Sequence, residues 1–338
     1  MLTEVYETEA PGGSRPPILW RAGGNLWPVD ELNHGMTIFL TGATGFVGSA
    51  ILRQLLADGR DVTALVRSGE KAAAVSELGA HAVVGDITDT RLLEEQARQS
   101  DGVIHVASPG DETSAAIDDA LVTAVFAGLE GSDKPYMHTG GIWVLGNGAE
   151  LTESSPQDPP AITAWRGAIE KRVLDAEGVK TTLIMPGIVY GYGQGIPNML
   201  AQAPRTTVVS GETGAAGESS LKLIGSGDQH WSTVFVDDLA ALYILAFDRA
   251  AAGSVYLGVG GENPTVRQLG EAAATAAGLE GRVSPSTDEE TYEMLGKPFA
   301  EALLLDQQAT GSAARRDLGW EPKGPSLLDE LRTGSYAG

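Results

Sequence analysis

From Met36 to about Tyr190 the chain alternates short apolar runs with amphipathic stretches of helical period. Ile38, Phe39 and Leu40 form the first run, as expected of a strand buried on both faces. Phe46, Val47, Ala50, Ile51 and Leu55 then recur at helical spacing. The pattern repeats with strands at Asp61–Val66, His81–Val84, Gly102–Val106, Pro135–Thr139 and Lys180–Met185. The intervening stretches predict helices over Ser68–Leu78, from a Thr88 cap to about Gln99, over Thr113–Leu129 and over Ile162–Ala176. Strands alternating with helices of this length imply βαβ units. The predicted fold is therefore α/β, a doubly wound parallel sheet of Rossmann type with right-handed crossovers.

Beyond Gly191 the regularity fades into a stretch rich in Gly, Ser, Thr and Pro. An apolar helix follows in VFVDDLAALYILAFDRA, and two more are expected over Thr265–Leu279 and Asp288–Gly296. This gives a Rossmann domain over 36–190 and a smaller substrate-side domain over 191–338, with some segments returning to the core. Residues 1–35 are Pro- and Gly-rich without sustained patterning and read as an extension outside the fold, where Leu19, Trp20, Leu26 and Trp27 could anchor it.

The first strand runs into Gly42-Ala43-Thr44-Gly45-Phe46-Val47-Gly48, with glycines at three-residue spacing. A strand, a glycine turn and a helix start direct backbone N–H groups and a positive dipole end at one point, which suits a pyrophosphate. Gly42 permits the tight turn, Gly45 close approach of the phosphates, and Gly48 close packing of helix on strand.

Composition narrows the rest. The chain has 338 residues, 42% of them apolar, and a formal charge of −22 that argues against nucleic acid and anionic membrane surfaces. No apolar run is long enough to span a bilayer, and no secretory leader pattern opens the chain, so a cytoplasmic protein is expected. It has no cysteine, which excludes disulfides and thiolate chemistry. Five scattered histidines give no metal spacing, and no GxxxxGK, HExxH or GxSxG motif occurs, so no metal is expected.

With the glycine turn, the Asp86 element, HVAS, PGIVYG and VDDLA in order, the chain resembles the extended short-chain dehydrogenase/reductase superfamily. More narrowly, it is similar to the NAD-dependent epimerase/dehydratase family, from Met36 to roughly Gly334. The resemblance implies that Gly42 to Gly48 cradle the pyrophosphate and that Asp86 and Ile87 lie beside the adenine. It places Ala107 and Ser108 along the inner ribose, and Pro186, Gly187, Ile188 and Val189 at the nicotinamide. His138 and Arg166 complete the expected cofactor side.

The second strand ends in LVRS, with Arg67 where a carboxylate would read an unphosphorylated ribose. A guanidinium there holds a 2′-phosphate and stacks on the adenine, which favours NADP(H) over NAD(H).

The family's Tyr-x-x-x-Lys pair is missing: no tyrosine has a lysine four residues on. Alignment on Glu170 puts Ile162 in the tyrosine slot and Arg166 in the lysine slot. A positioned general acid is worth roughly 10²–10⁴-fold in rate, so another group must substitute. Arg166 keeps the electrostatic role, while Thr139, Tyr190, Tyr192 or water are candidates for the proton. His138 titrates in the right range, and His230-Trp231 is a candidate for the pocket wall. Trp165 and His105 read as core, and Asp237-Asp238 as carboxylates complementing a helix dipole.

The expectation is an NADP(H)-dependent oxidoreductase acting on a carbonyl, imine or activated double bond. An epimerase or dehydratase acting on a sugar nucleotide and a non-catalytic NADP(H)-binding regulator are the alternatives. A homodimer is expected from the family.

Overall fold

A computed structural model describes residues 35–208 and 218–337, together with three short strands within the first 34 residues. Those strands, Tyr6–Glu7, Ile18–Ala22 and Asn25–Pro28, form an antiparallel sheet of their own that the unpatterned sequence did not announce. The anchoring role expected of Leu19, Trp20, Leu26 and Trp27 lies outside the described side chains.

The main sheet has seven parallel strands: β1 (Thr37–Thr41), β2 (Asp61–Val66), β3 (His81–Val84), β4 (Gly102–His105), β5 (Pro135–Thr139), β6 (Lys180–Pro186) and β7 (Ser254–Gly258). Their order is β7-β6-β5-β4-β1-β2-β3, so the chain winds outward from β1 in both directions. Helices α1 (Phe46–Ala57), α2 (Gly69–Glu77), α3 (Thr90–Gln99), α4 (Ser114–Leu129) and α5 (Arg166–Leu174) make the connections, and α6 (Val236–Arg249) packs on α1. Ile38, Phe39 and Leu40 of β1 are fully buried, split between the two faces. That double burial is why the strands read as continuous apolar runs.

Three local differences from the expected elements have physical causes. Asp89, not Thr88, caps α3 by accepting from the Leu92 N–H, and the Thr88 hydroxyl donates to Asp86 instead. Helix α5 begins at Arg166, four residues later than expected. Pro159 and Pro160 precede it, and the Trp165 indole N–H donates to the Ile162 carbonyl that a longer helix would use. The seventh strand was not foreseen: SVYLG follows Gly253, some 70 residues after β6, with the smaller lobe in between.

That lobe has its own core, built from Leu221, Trp231, Val266, Leu269, Leu303 and Leu327 among others. Helices Val266–Ala276 and Asp288–Leu295 start in capping boxes, Thr265 with Gln268 and Thr287 with Glu290. The C-terminal segment is tied back by side chains. Asp238 accepts the backbone N–H groups of Lys323 and Gly324, and the Tyr336 hydroxyl accepts from the Gly191 N–H.

Candidate active site

The glycine turn closes β1 onto α1 with tolerances that only glycine meets. A Cβ at Gly48 would lie 2.0 Å from the Gly42 carbonyl oxygen, and one at Gly42, where φ is +78°, would lie 2.9 Å from the Ala107 nitrogen. The start of α1 at Gly45 has no side-chain cap and no acidic residue in its first turn. Its N–H groups are thus left for an anion. Ala43, Thr44, Phe46 and Val47 fill the same turn, with Ala107 and Ser108 facing it from the end of β4. A dinucleotide pyrophosphate fits this cradle.

Arg67 is exposed just past the end of β2. Asp86, at the tip of β3 beside Ile87, accepts from the Thr88 hydroxyl and N–H at 2.6 and 2.9 Å. Those bonds, and to a smaller degree Arg67, hold its carboxyl below the usual range.

A cleft of about 870 Å³ opens at the C-terminal ends of β4, β5 and β6. It gathers Ser108, Arg166 and Pro186 to Val189 on one wall system, with Phe46 reaching in from α1. Ser114 at the start of α4 also lines it, 5% exposed, its Oγ accepting the N–H groups of Gly110 and Asp111 at 3.1 Å. Sequence reading passed over this serine, although its place at a helix start after a Gly-Asp turn was a signal. Arg166 donates from Nη1 to the Thr139 carbonyl at 3.1 Å and stacks on Trp165 at 4.6 Å. Trp165 both packs on the core and faces the cleft.

Other expected groups point elsewhere. The Thr139 hydroxyl donates to the His105 carbonyl and receives the Tyr243 hydroxyl, each at 2.6 Å. Tyr190 is 5% exposed and its hydroxyl donates to the Pro325 carbonyl at 2.7 Å, while burial pushes its pKa up. Neither hydroxyl faces the cleft, so the proton-donor role expected of them does not fit this geometry. Tyr192 donates to Asp237 on the protein surface. His230 binds Asp306, and Trp231 is buried with its N–H on the Leu303 carbonyl, so this pair belongs to the small lobe's core side, not the pocket wall.

His138 is 1% exposed and does not line the cleft. It belongs to a buried chain beneath the cleft floor. Burial pushes the Asp118 carboxyl up, but the hydrogen bond from His105 and the nearby Arg166 charge outweigh it, and its pKa is lowered. A carboxylate only accepts, so the His105 Nε2 donates to it at 2.9 Å, and the His105 Nδ1 lies 2.7 Å from the Thr41 hydroxyl. His138 receives the Tyr136 hydroxyl at Nδ1, and its Nε2 lies 3.5 Å from Asp118. Burial holds His138 neutral, its pKa lowered to about 3. The ligating atoms of His105, Asp118 and His138 lie within 4.8 Å of one another, spacing that would also suit a small cation. Glu170, 1% exposed, is raised by burial to about 7 despite Arg166, and its Oε1 has no hydrogen-bond partner.

A strand-turn-helix cradle and a cleft at the strand ends define an NAD(P)-binding enzyme fold. The chain belongs with the NAD(P)H-binding and NAD-dependent epimerase/dehydratase families. Residues 42–132 match the NAD(P)H-binding family model and 168–258 that of the NAD dependent epimerase/dehydratase family. It is an NAD(P)-dependent enzyme of the oxidoreductase or epimerase type.

Among its relatives is the uncharacterized protein C2A9.02 of Schizosaccharomyces pombe, 30% identical over 89% of this chain and 100% of that protein. Another is 4-hydroxy-2-methyl-3-oxo-4-farnesyl-3,4-dihydroquinoline-1-oxide ketoreductase of Stigmatella aurantiaca, 25% identical over 90% and 98%. Among solved structures, the dTDP-glucose 4,6-dehydratase DesIV from Streptomyces venezuelae, with NAD and TYD bound, shares the fold. Its TM-score is 0.68 at 21% identity, covering 89% of this chain and 96% of that one.

Proposed function

We propose that the protein is an NADP(H)-dependent reductase of a carbonyl, imine or activated double bond. The observation that carries this reading is the cleft itself: Arg166, Ser114 and the Pro186–Val189 wall share it, and no tyrosine lines it among the described residues. Epimerases and dehydratases of this family reduce and reoxidise within one turnover and depend on the tyrosine for both directions. A one-way reductase acting on an easily polarised acceptor needs less. The ketoreductase relative points the same way.

When bound, the nicotinamide supplies a hydride from C4. The uncapped start of α1 binds the pyrophosphate, and Arg67 takes the 2′-phosphate that distinguishes NADP(H). Arg166 faces the cleft with a permanent positive charge and is aligned with the lysine slot, so it steadies the ribose and the negative charge that develops on the acceptor. Ser114 receives two backbone N–H bonds, which lower the cost of negative charge on its Oγ as its own proton passes to the substrate oxygen or nitrogen. Water then restores that proton.

Denaturing the purified protein and identifying released nucleotide by mass spectrometry, after exposure to labelled NADPH, tests the assignment. Rapidly exchanging NADP(H) is expected, because a reductase trades cofactor each cycle. Firmly retained NAD⁺ would move the epimerase/dehydratase reading forward. Two copies pairing across α4 and α5, where a groove of about 670 Å³ lies between Phe126 and Val179, form the dimer we expect of a cytoplasmic enzyme. Its mass in solution tests this.

A further inference from the structure

The cleft wall is poor in positive charge. Among the described residues lining it, Arg166 is the one cation, and Asp111 and Glu112 are carboxylates at the rim. The reductase reading commits Arg166 to the ribose and the reacting group, and it also donates to the Thr139 carbonyl and stacks on Trp165. Hydrogen bonds from Thr113 keep Asp111 ionised, its pKa lowered, so the rim stays negative.

A sugar nucleotide carries a diphosphate that must leave water on binding. That desolvation is costly unless cations or several N–H donors receive the charge. The substrate half of this cleft offers instead Ile142, Trp143, Ile162, Ile196, Pro298 and Phe299. Trp143, from the turn after β5, and Phe299, from helix Lys297–Leu303 of the smaller lobe, meet edge to face with centroids 6.1 Å apart at 66°. Two rings from different lobes, set at an angle, give a planar apolar body one face and one edge to pack on.

We infer that the substrate is an unphosphorylated compound with an aromatic or conjugated body next to its carbonyl or imine group, neutral or cationic. We infer too that the cleft rejects sugar nucleotides. The inference rests on the reductase reading, since it names what that reductase reduces. Trp143 and Phe299 are its specificity-determining residues.

Calorimetry and thermal shift on the NADP⁺-loaded full chain test it, because both read binding without turnover. The probes are 2-acetonaphthone, benzylideneacetone and 3,4-dihydroisoquinoline on one side, and UDP, UDP-glucose and dTDP-glucose on the other. At least one apolar probe is expected to bind at least tenfold tighter than any nucleotide. Trp143→Ala and Phe299→Ala should each weaken it about tenfold, in line with the loss of an aromatic contact. Ile162→Lys, at a position already 37% exposed where folding tolerates a charge, should weaken it about fivefold. Tighter binding of UDP-glucose or dTDP-glucose, or binding of none of the three apolar probes, would overturn the inference. An apolar probe that binds with the expected variant pattern but never oxidises NADPH upholds the substrate class and sinks the reductase reading alone.

Discussion

The Oε1 of Glu170 occupies the space that a side chain at Gly140 would need: a Cβ built on Gly140 lies 2.5 Å from it. A glycine on the cleft floor and a buried carboxyl behind it therefore depend on each other. Gly140→Ala should cost about 1–3 kcal/mol by overpacking. In a Glu170→Ala background the same substitution should cost about 1 kcal/mol less, a coupling that a double-mutant cycle by urea unfolding would read. Additive effects would show that the carboxyl swings aside freely.

Two buried groups oppose each other in pH. Glu170 is raised from 4.5 to about 7, so its contribution favours the folded state at low pH and is lost as pH rises through 7. His138 is lowered from 6.5 to about 3, so its contribution is present above 6.5 and is lost as pH falls toward 3. Between about 4.5 and 6.5 the two slopes offset. Glu170→Gln should expose the histidine slope, with stability falling by up to ~1.4 kcal/mol per pH unit on acidification. Unfolding free energies at pH 4.5, 5.5 and 6.5 that track the wild type would refute this.

In the glycine turn, position matters more than residue type. Gly48→Ala puts a Cβ 2.0 Å from backbone, whereas Gly45→Ala meets the same Gly42 oxygen at 3.2 Å. Gly48→Ala should weaken NADPH binding by about 100-fold, or ~2.7 kcal/mol, and lower the melting temperature. Gly45→Ala should do much less on both measures, and equal losses would contradict the geometry.

Arg67→Asp should turn the ribose end from attracting a 2′-phosphate to repelling it. NADPH affinity is expected to fall by about 10–100-fold, or ~1.4–2.7 kcal/mol, with NADH affinity unchanged or improved. Fluorescence titration of both cofactors decides the matter, and an unchanged ratio would remove Arg67 from the site.

Ser114→Ala should lower kcat by about 10²-fold with little change in KM, the signature of an interaction made in the transition state. Tyr190→Phe removes a bond to the Pro325 carbonyl, with neither residue lining the cleft, and should cost about 1 kcal/mol of stability while kcat holds. A reversed pattern would restore Tyr190 as the proton donor.

The sheet and the cradle were legible because their determinants are local. Ile38, Phe39 and Leu40 declare a doubly buried strand by composition, and Gly42, Gly45 and Gly48 act through backbone within seven residues. Strand β7 escaped because nothing in Ser254–Gly258 says that it returns across a lobe to pair with β6. Side-chain direction escaped for the same reason. Whether Thr139 and Tyr190 face the cleft is decided by Tyr243 and Pro325, more than 100 residues away in sequence. The chain from Thr41 through His105 and Asp118 to His138 joins four elements and has no signature in any of them.

The late return of β7 bears on how the protein is made. When the ribosome has delivered residues up to Pro186, six strands can pair, but β6 is still an open edge. Its partner, Ser254–Gly258, arrives some 70 residues later. At a translation rate of roughly 5–20 residues per second, that edge stays bare for several seconds. Open apolar edges recruit other strands, so slowed synthesis between 190 and 254 should raise aggregation of the nascent chain without altering the finished enzyme.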